Sequence, residues 1–230
     1  MNDMTRPDAL DPPYLYPGYG STRLRAPKEP LLALPAGTLD VPGPLVPKGF
    51  VRGGDNDLTA HGKAAPLGEK MVVCGRLLDA DGRPVRDSLV EIWQANASGR
   101  YAHPGDTHDA PLDPNFTGIG RTFTDGDGRY RFVTIKPGSY PWRNHAFAWR
   151  PQHIHFSLLG NAPVQRLVTQ MYFPGDPLLA LDPIYNCVPD EKARARMIAG
   201  LALETGIEGI ALGYRFDIVL AGAKATPLGI

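Results

Sequence analysis

From Glu69 onward the chain is a series of short runs rich in β-branched and aromatic residues, divided by turn signals. MVVCGRLLD is followed by Asp81-Gly82, then SLVEIWQAN, GRTFT, a Gly/Asp turn over Asp125 to Gly128, and YRFVTI. Runs of this length and composition, bounded by Gly and Asp, predict strands. His153 to Leu159, Gln165 to Phe173 and Leu212 to Ala221 supply later strands. The pattern predicts an all-β chain with a β-sandwich core. One segment reads differently. Across Asp190 to Leu203, Pro189 and Asp190 mark a start, charges fill exposed positions, and Met197, Ile198 and Leu201 recur at helical spacing. That predicts one short helix in the C-terminal half.

Residues 1–47 follow neither pattern. They carry Pro12, Pro13, Pro17, Pro27, Pro30, Pro35, Pro42, Pro44 and Pro47, and proline lacks the N–H that helix interiors and central strands require. Tyr14, Tyr16, Tyr19, Leu31, Leu32 and Leu34 give this stretch apolar anchors that a purely solvated tail lacks. The expectation is an extended N-terminal arm over 1–47, packed on a partner or on its own core, and a β-sandwich domain over 48–230.

Composition narrows the classes. The 230 residues are 43% hydrophobic, enough for a sizeable core, and 24 basic side chains balance 24 acidic ones. No basic stripe invites nucleic acid and no basic amphipathic helix invites a membrane. Without a long apolar run or a charged-then-apolar leader, the chain reads as cytosolic. Cys74 and Cys187 then read as reduced thiols rather than a disulfide.

The candidate chemistry sits in RPQHIHFSL. His153 and His155 are two residues apart, with Tyr140 in GSYPWR thirteen positions upstream and Tyr101 earlier. On a strand, side chains at i and i+2 share a face, so both imidazoles can reach one ion. Phenolate is a hard anionic donor, and two phenolates beside two imidazoles favour a trivalent ion, Fe(III) foremost. An H-x-H pair or a tyrosine taken singly is ordinarily structural; the combination points to a metal.

Other signals carry less. Asp125-Gly-Asp127-Gly128 begins like a calcium loop but has no distal Glu, and reads as a hairpin turn. His61, His103, His108 and His145 read as loop histidines. Glu91 and Asp113 could pair for acid/base work, but nothing in the pattern joins them.

The segments NDLT, PLGEKMVVCGRLLDADGRPV, LVEIWQANASGRY, APLDPNFTGIGRTFTDGDGRYRFVTIKPGSYPWR, WRPQHIHF and LVTQMYFPGDPL resemble the intradiol ring-cleavage dioxygenase family, in particular its protocatechuate 3,4-dioxygenase β subunits. The resemblance runs from about Asn56 to Val219. It implies iron ligands at Tyr101, after Gly-Arg; at Tyr140, before Pro-Trp-Arg; and at His153 and His155. It also implies active-site roles for Arg150 and Gln170, pocket positions for Trp142 and Tyr172, and a weaker match for Tyr19. The activity implied is cleavage of protocatechuate (3,4-dihydroxybenzoate) by dioxygen to 3-carboxy-cis,cis-muconate. In that scheme Tyr140 doubles as a displaceable base, and the partner is a homologous α subunit in a hetero-oligomer. Three alternatives stand beside this one: an intradiol enzyme for catechol or hydroxyquinol, an Fe(II) extradiol enzyme, and a non-catalytic homologous subunit. All four ligand positions being filled counts against the last.

Overall fold

The computed structural model describes residues 10–30, 32, 46–142, 149–159 and 166–229. Leu31, Leu34, His145 and the start of the strand expected at Gln165 lie outside these residues. Two sheets and a two-stranded ribbon make up the structure. In the first sheet β1 (Lys70–Leu78) pairs antiparallel with β4 (Arg129–Ile135) on one side and parallel with β10 (Leu212–Arg215) and β11 (Ile218–Val219) on the other. The two-residue strand β9 (Gly200–Leu201) closes the far edge against β10. The second sheet is antiparallel throughout, in the order β3 (Ile119–Phe123), β2 (Leu89–Trp93), β7 (His153–Leu159), β8 (Arg166–Tyr172). The ribbon pairs β5 (Tyr140–Pro141) with β6 (Trp149–Arg150).

The inner faces of the two sheets meet in one apolar cluster. Met71, Val73, Leu77 and Phe132 come from the first sheet, and Val90, Ile92, Ile154, Phe156, Leu158, Leu167 and Met171 from the second. This is the expected sandwich, driven by removal of apolar area from water. Burying a side chain such as Phe156 contributes about 1.5–3 kcal/mol. Because strand side chains alternate, sending Ile154, Phe156 and Leu158 inward obliges His153 and His155 to face outward, on the side of the second sheet away from the core.

Three expectations need correction. The strand foreseen over Leu212 to Ala221 divides into β10 and β11, because the Asp217 carboxylate, rather than a backbone carbonyl, accepts the Arg76 N–H at 2.8 Å. The Asp125 to Gly128 turn is not a hairpin: β3 and β4 belong to different sheets, and the turn carries the chain from one to the other. Asp125 Oδ1 accepts the Asp127 and Arg129 N–H groups there. The helix expected over Asp190 to Leu203 is a single turn, α3 (Glu191–Ala195), capped by Asp190 through the Ala193 N–H. It stops because the following backbone is claimed by the sheet: the Tyr172 N–H donates to the Met197 carbonyl at 2.8 Å and the Ala199 N–H to the Tyr172 carbonyl at 2.9 Å. Two further α-helical turns are present, α1 (Thr22–Arg25) and α2 (Pro183–Asn186).

In the arm, the Thr22 hydroxyl donates toward the Tyr16 and Tyr19 carbonyls and accepts the Tyr16 N–H, folding residues 16–22 into a compact turn. That turn buries Tyr19, and Leu10 joins a satellite cluster with Tyr172, Val188, Ala193 and Met197. Tyr14, Leu15, Leu24 and Leu32 stay largely exposed. Among the described residues no helix is long and apolar enough to cross a membrane.

Candidate metal centre and substrate cavity

The register of β7 against β8 sets His153 opposite Tyr172 and His155 opposite Gln170, and that of β7 against β2 sets His155 opposite Trp93. Directly paired side chains share a face, so one outer patch of sheet receives two imidazoles, an amide, a phenol and an indole. The β5–β6 ribbon folds over this patch and delivers Tyr140 and Arg150, themselves directly paired.

Tyr101 arrives from a loop whose closeness depends on glycine. Gly99 has φ +77°, and a Cβ there would lie 2.2 Å from the Ser139 carbonyl oxygen. Only glycine allows the loop so near β5. Asn96 Oδ1 accepts the Ser98 and Arg100 N–H groups, and Asp106 Oδ2 accepts the Tyr101 N–H at 2.8 Å, which fixes the loop from below.

Four rings consequently converge. Centroid separations are 5.4 Å for Tyr101–Tyr140, 5.4 Å for Tyr140–His153, 4.9 Å for His153–His155 and 6.3 Å for Tyr101–His155. His153 Nδ1 donates to the Pro151 carbonyl at 2.7 Å, which leaves its Nε2 lone pair facing the convergence point. There Nε2 meets the Tyr140 hydroxyl at 3.2 Å and Arg150 Nη1 at 3.1 Å. Burial, reinforced by the Arg150 charge, holds both histidines below the usual imidazole range, His155 at about 3. Both are neutral at pH 7, the form a metal requires. Burial, with Tyr140 adding to it, pushes the Tyr101 phenol well up. Its hydroxyl is buried and has no hydrogen-bond partner among the described residues.

An orphaned buried phenol is costly, and one that resists ionisation becomes phenolate only beside a strong cation. Two neutral imidazoles and two phenols around one point therefore fit Fe(III). Among the described residues no group of three or more His, Cys, Asp or Glu is arranged for a metal, so a metal here would have to draw on the tyrosines.

Arg150 anchors the far wall. It is 2% exposed and paired with Asp182, itself fully buried, through Nη2–Oδ2 at 2.9 Å and Nε–Oδ1 at 3.3 Å. Nη2 also donates to Gln170 Oε1 at 2.7 Å and to the Tyr172 hydroxyl oxygen at 3.1 Å. Burial works against the Arg150 charge, and Tyr172 and Asp182 more than offset it. A cavity of about 620 Å³ opens beside these groups, lined among others by Tyr19, Arg25, Trp93, Tyr140, Trp142, Arg150, His155, Gln170 and Ile184. Tyr19 meets Trp142 edge to face at 5.1 Å, and the Arg25 guanidinium lies 4.5 Å from the Tyr19 ring centre.

Every residue singled out above as a ligand or pocket position thus falls in one neighbourhood. Tyr172 differs somewhat from expectation, because it is fully buried behind Arg150 and braces the network rather than lining the cavity. Of the described loop histidines, His61 meets the Gly54 carbonyl, His103 accepts the Gly105 N–H, and His108 packs against Trp149. Asp113 accepts the Leu67 N–H in a loop, while Glu91 lies on β2 opposite Arg121 and Ser157. Asp182, Trp93 and Arg25 were missed. Asp182 had a readable signal, an Asp-Pro step that caps α2 through the Ile184 N–H. Trp93 becomes visible only once the strands are paired.

A two-sheet scaffold bearing a His/Tyr cluster and a buried Arg on an outer face is consistent with the comparisons. Residues 43–222 match the family model described as dioxygenase, and residues 5–36 match that of the protocatechuate 3,4-dioxygenase beta subunit N terminal. The solved dioxygenase domain of a carbohydrate-binding fusion protein from Streptomyces sp. SirexAA-E superposes with a TM-score of 0.52 at 27% identity, covering 79% of this chain and 99% of that one. The chain belongs to the intradiol ring-cleavage dioxygenase family. Within it, the chain is 56% identical over 219 residues to the protocatechuate 3,4-dioxygenase beta chain of Burkholderia cepacia, covering 94% of this chain and 93% of that one. It is also 31% identical over 162 residues to the alpha chain from the same organism, covering 69% and 76%.

Proposed function

We propose that this chain is the iron-bearing, β-type subunit of a cytosolic protocatechuate 3,4-dioxygenase, which converts protocatechuate and dioxygen to 3-carboxy-cis,cis-muconate in a hetero-oligomer with a homologous α chain. The observation that carries the reading is the convergence of Tyr101, Tyr140, His153 and His155 around one point, with the Tyr101 hydroxyl buried and unpartnered.

These four residues would hold Fe(III). Bound there, the metal supplies a Lewis acid that withdraws electron density from a catecholate ring. The protein's part follows from its own geometry. Tyr140, which borders the cavity and meets His153, would bind the metal as phenolate, and on release its oxygen would take a proton from a catechol hydroxyl and become a neutral phenol. Arg150, permanently charged and held by three buried partners, presents Nη1 to the developing negative charge. Gln170 keeps Arg150 in place. Arg25 puts a second cation in the cavity wall, against which a ring carboxylate can rest. Trp142 and Tyr19 cover the ring and exclude water. The exposed Tyr14, Leu15 and Leu24 of the arm offer apolar surface for the α chain.

The deciding experiment is a visible spectrum before and after anaerobic protocatechuate, followed by product analysis with dioxygen, with and without a co-expressed α chain. Tyrosinate-to-iron charge transfer and the 3-carboxymuconate are expected. A colourless iron-replete protein, or cleavage outside the two hydroxylated carbons, would overturn the proposal.

A further inference from the structure

Asp182 is the buried ion-pair partner of Arg150. The Arg150 fork is divided. Nε and Nη2 are engaged on the far side, with both Asp182 oxygens, Gln170 and Tyr172. Nη1 alone turns toward His153 Nε2, at the point where the four rings meet. A guanidinium is planar, so fixing two of its nitrogens on a carboxylate fixes the third. Asp182 is itself held. Its Oδ1 accepts the Ile184 N–H at 3.3 Å, capping α2, its Oδ2 accepts the Tyr172 hydroxyl at 3.0 Å, and its side chain is wholly buried. Ile184, two residues on, lines the cavity.

We infer that Asp182 is a positioning residue for the ring-cleavage reaction: it aims Arg150 Nη1 into the site, and its charge cancels the guanidinium charge when no anionic substrate is present. The inference rests on the function proposed above. Removing the carboxylate charge while keeping the shape should let the guanidinium turn and leave the cavity one charge more positive. Turnover should fall because the supporting charge is misplaced, while affinity for a catecholate dianion should not weaken. A residue that merely stabilised the fold would lose iron and affinity together.

The test compares Asp182→Asn with the parent as the iron-loaded complex with its α chain. Expected are unchanged iron per chain, kcat for protocatechuate down about 10- to 100-fold, and a KM unchanged or lower. Arg150→Gln and the double variant complete a cycle. Where Asp182 works through Arg150, the double variant turns over within about twofold of Arg150→Gln, and it also serves if Asp182→Asn alone does not fold, since it leaves no unpaired buried charge. Losses that add across the cycle, or a kcat in Asp182→Asn matching the parent, would overturn the inference. A readout independent of iron and activity is hydrogen exchange at the Arg150 Nε–H in ¹⁵N-labelled metal-free protein. It should be protected in the parent and quickened in Asp182→Asn, and equal protection in both would also overturn the inference. Absence of dioxygenase activity in the parent refutes the proposed function alone, and the exchange measurement still decides the role of Asp182.

Discussion

Trp93 lies flat against His155, with ring centroids 4.8 Å apart and planes 1° from parallel. The two are opposite one another on β2 and β7. His153 is oriented by a hydrogen bond to the Pro151 carbonyl, whereas the plane of His155 is set by this stack. Trp93→Leu is therefore expected to leave the sandwich folded but to weaken iron retention about 10-fold or more, an effect of the size seen when groups orienting a metal ligand are removed. Iron loss to a chelator, timed in both proteins, checks this; equal rates would show that the stack does not orient the ligand.

Tyr101 and Tyr140 should behave differently although each ring lies beside one of the two histidines. The Tyr101 oxygen is enclosed and has no partner among the described residues, whereas Tyr140 borders the cavity and meets His153 Nε2. Tyr101→Phe is expected to lower iron occupancy, and Tyr140→Phe to keep the metal while slowing protocatechuate binding. Metal analysis beside stopped-flow absorbance separates the two, and complete iron loss in Tyr140→Phe alone would reverse the assignment.

The depressed histidines make the metal-free protein acid-sensitive. Between pH 6.5 and about 3 the unfolded chain protonates His155 while the folded one does not, so stability is full above pH 6.5 and falls as pH drops through that window. Each such histidine costs up to about 1.4 kcal/mol per pH unit. Urea midpoints of metal-free protein at pH 7 and pH 5 should differ, and His155→Gln should narrow the gap. An unchanged gap would place the acid-sensitive group elsewhere.

The two thiols should react in order. Cys187 is buried, its Sγ donates to the Ile184 carbonyl at 3.0 Å, and burial pushes its pKa up to about 12. Cys74 is only partly buried. Since the thiolate is the reactive form, iodoacetamide at pH 8 is expected to modify Cys74 in the native protein and Cys187 only after unfolding. Peptide mass spectrometry reads this directly, and early labelling of Cys187 would contradict its enclosure.

What could be read in advance was whatever local periodicity governs. The two-residue spacing of His153 and His155 alone puts both imidazoles on one face of a strand, and β7 carries them so. Properties fixed by long-range partners were hidden. Met197 to Ala199 read as helix because their apolar spacing suits one, yet hydrogen bonds to Tyr172 from a distant strand decided otherwise. Trp93 was missed for the same reason, since its meaning lies in His155 on another strand, and the Asp-Pro step at Asp182 announced a helix cap but not the Arg150 it meets.

A slip of β7 by one residue against β8 would do more than misplace a ligand. Ile154, Phe156 and Leu158 would turn to the outside and the two imidazoles into the hydrophobic interior. The penalty for that error falls on the whole fold, so the pairing that secures the core also proofreads the placement of the histidines. Chains in which β7 has docked out of register should be found among unfolded or aggregated material rather than as well-folded protein lacking iron.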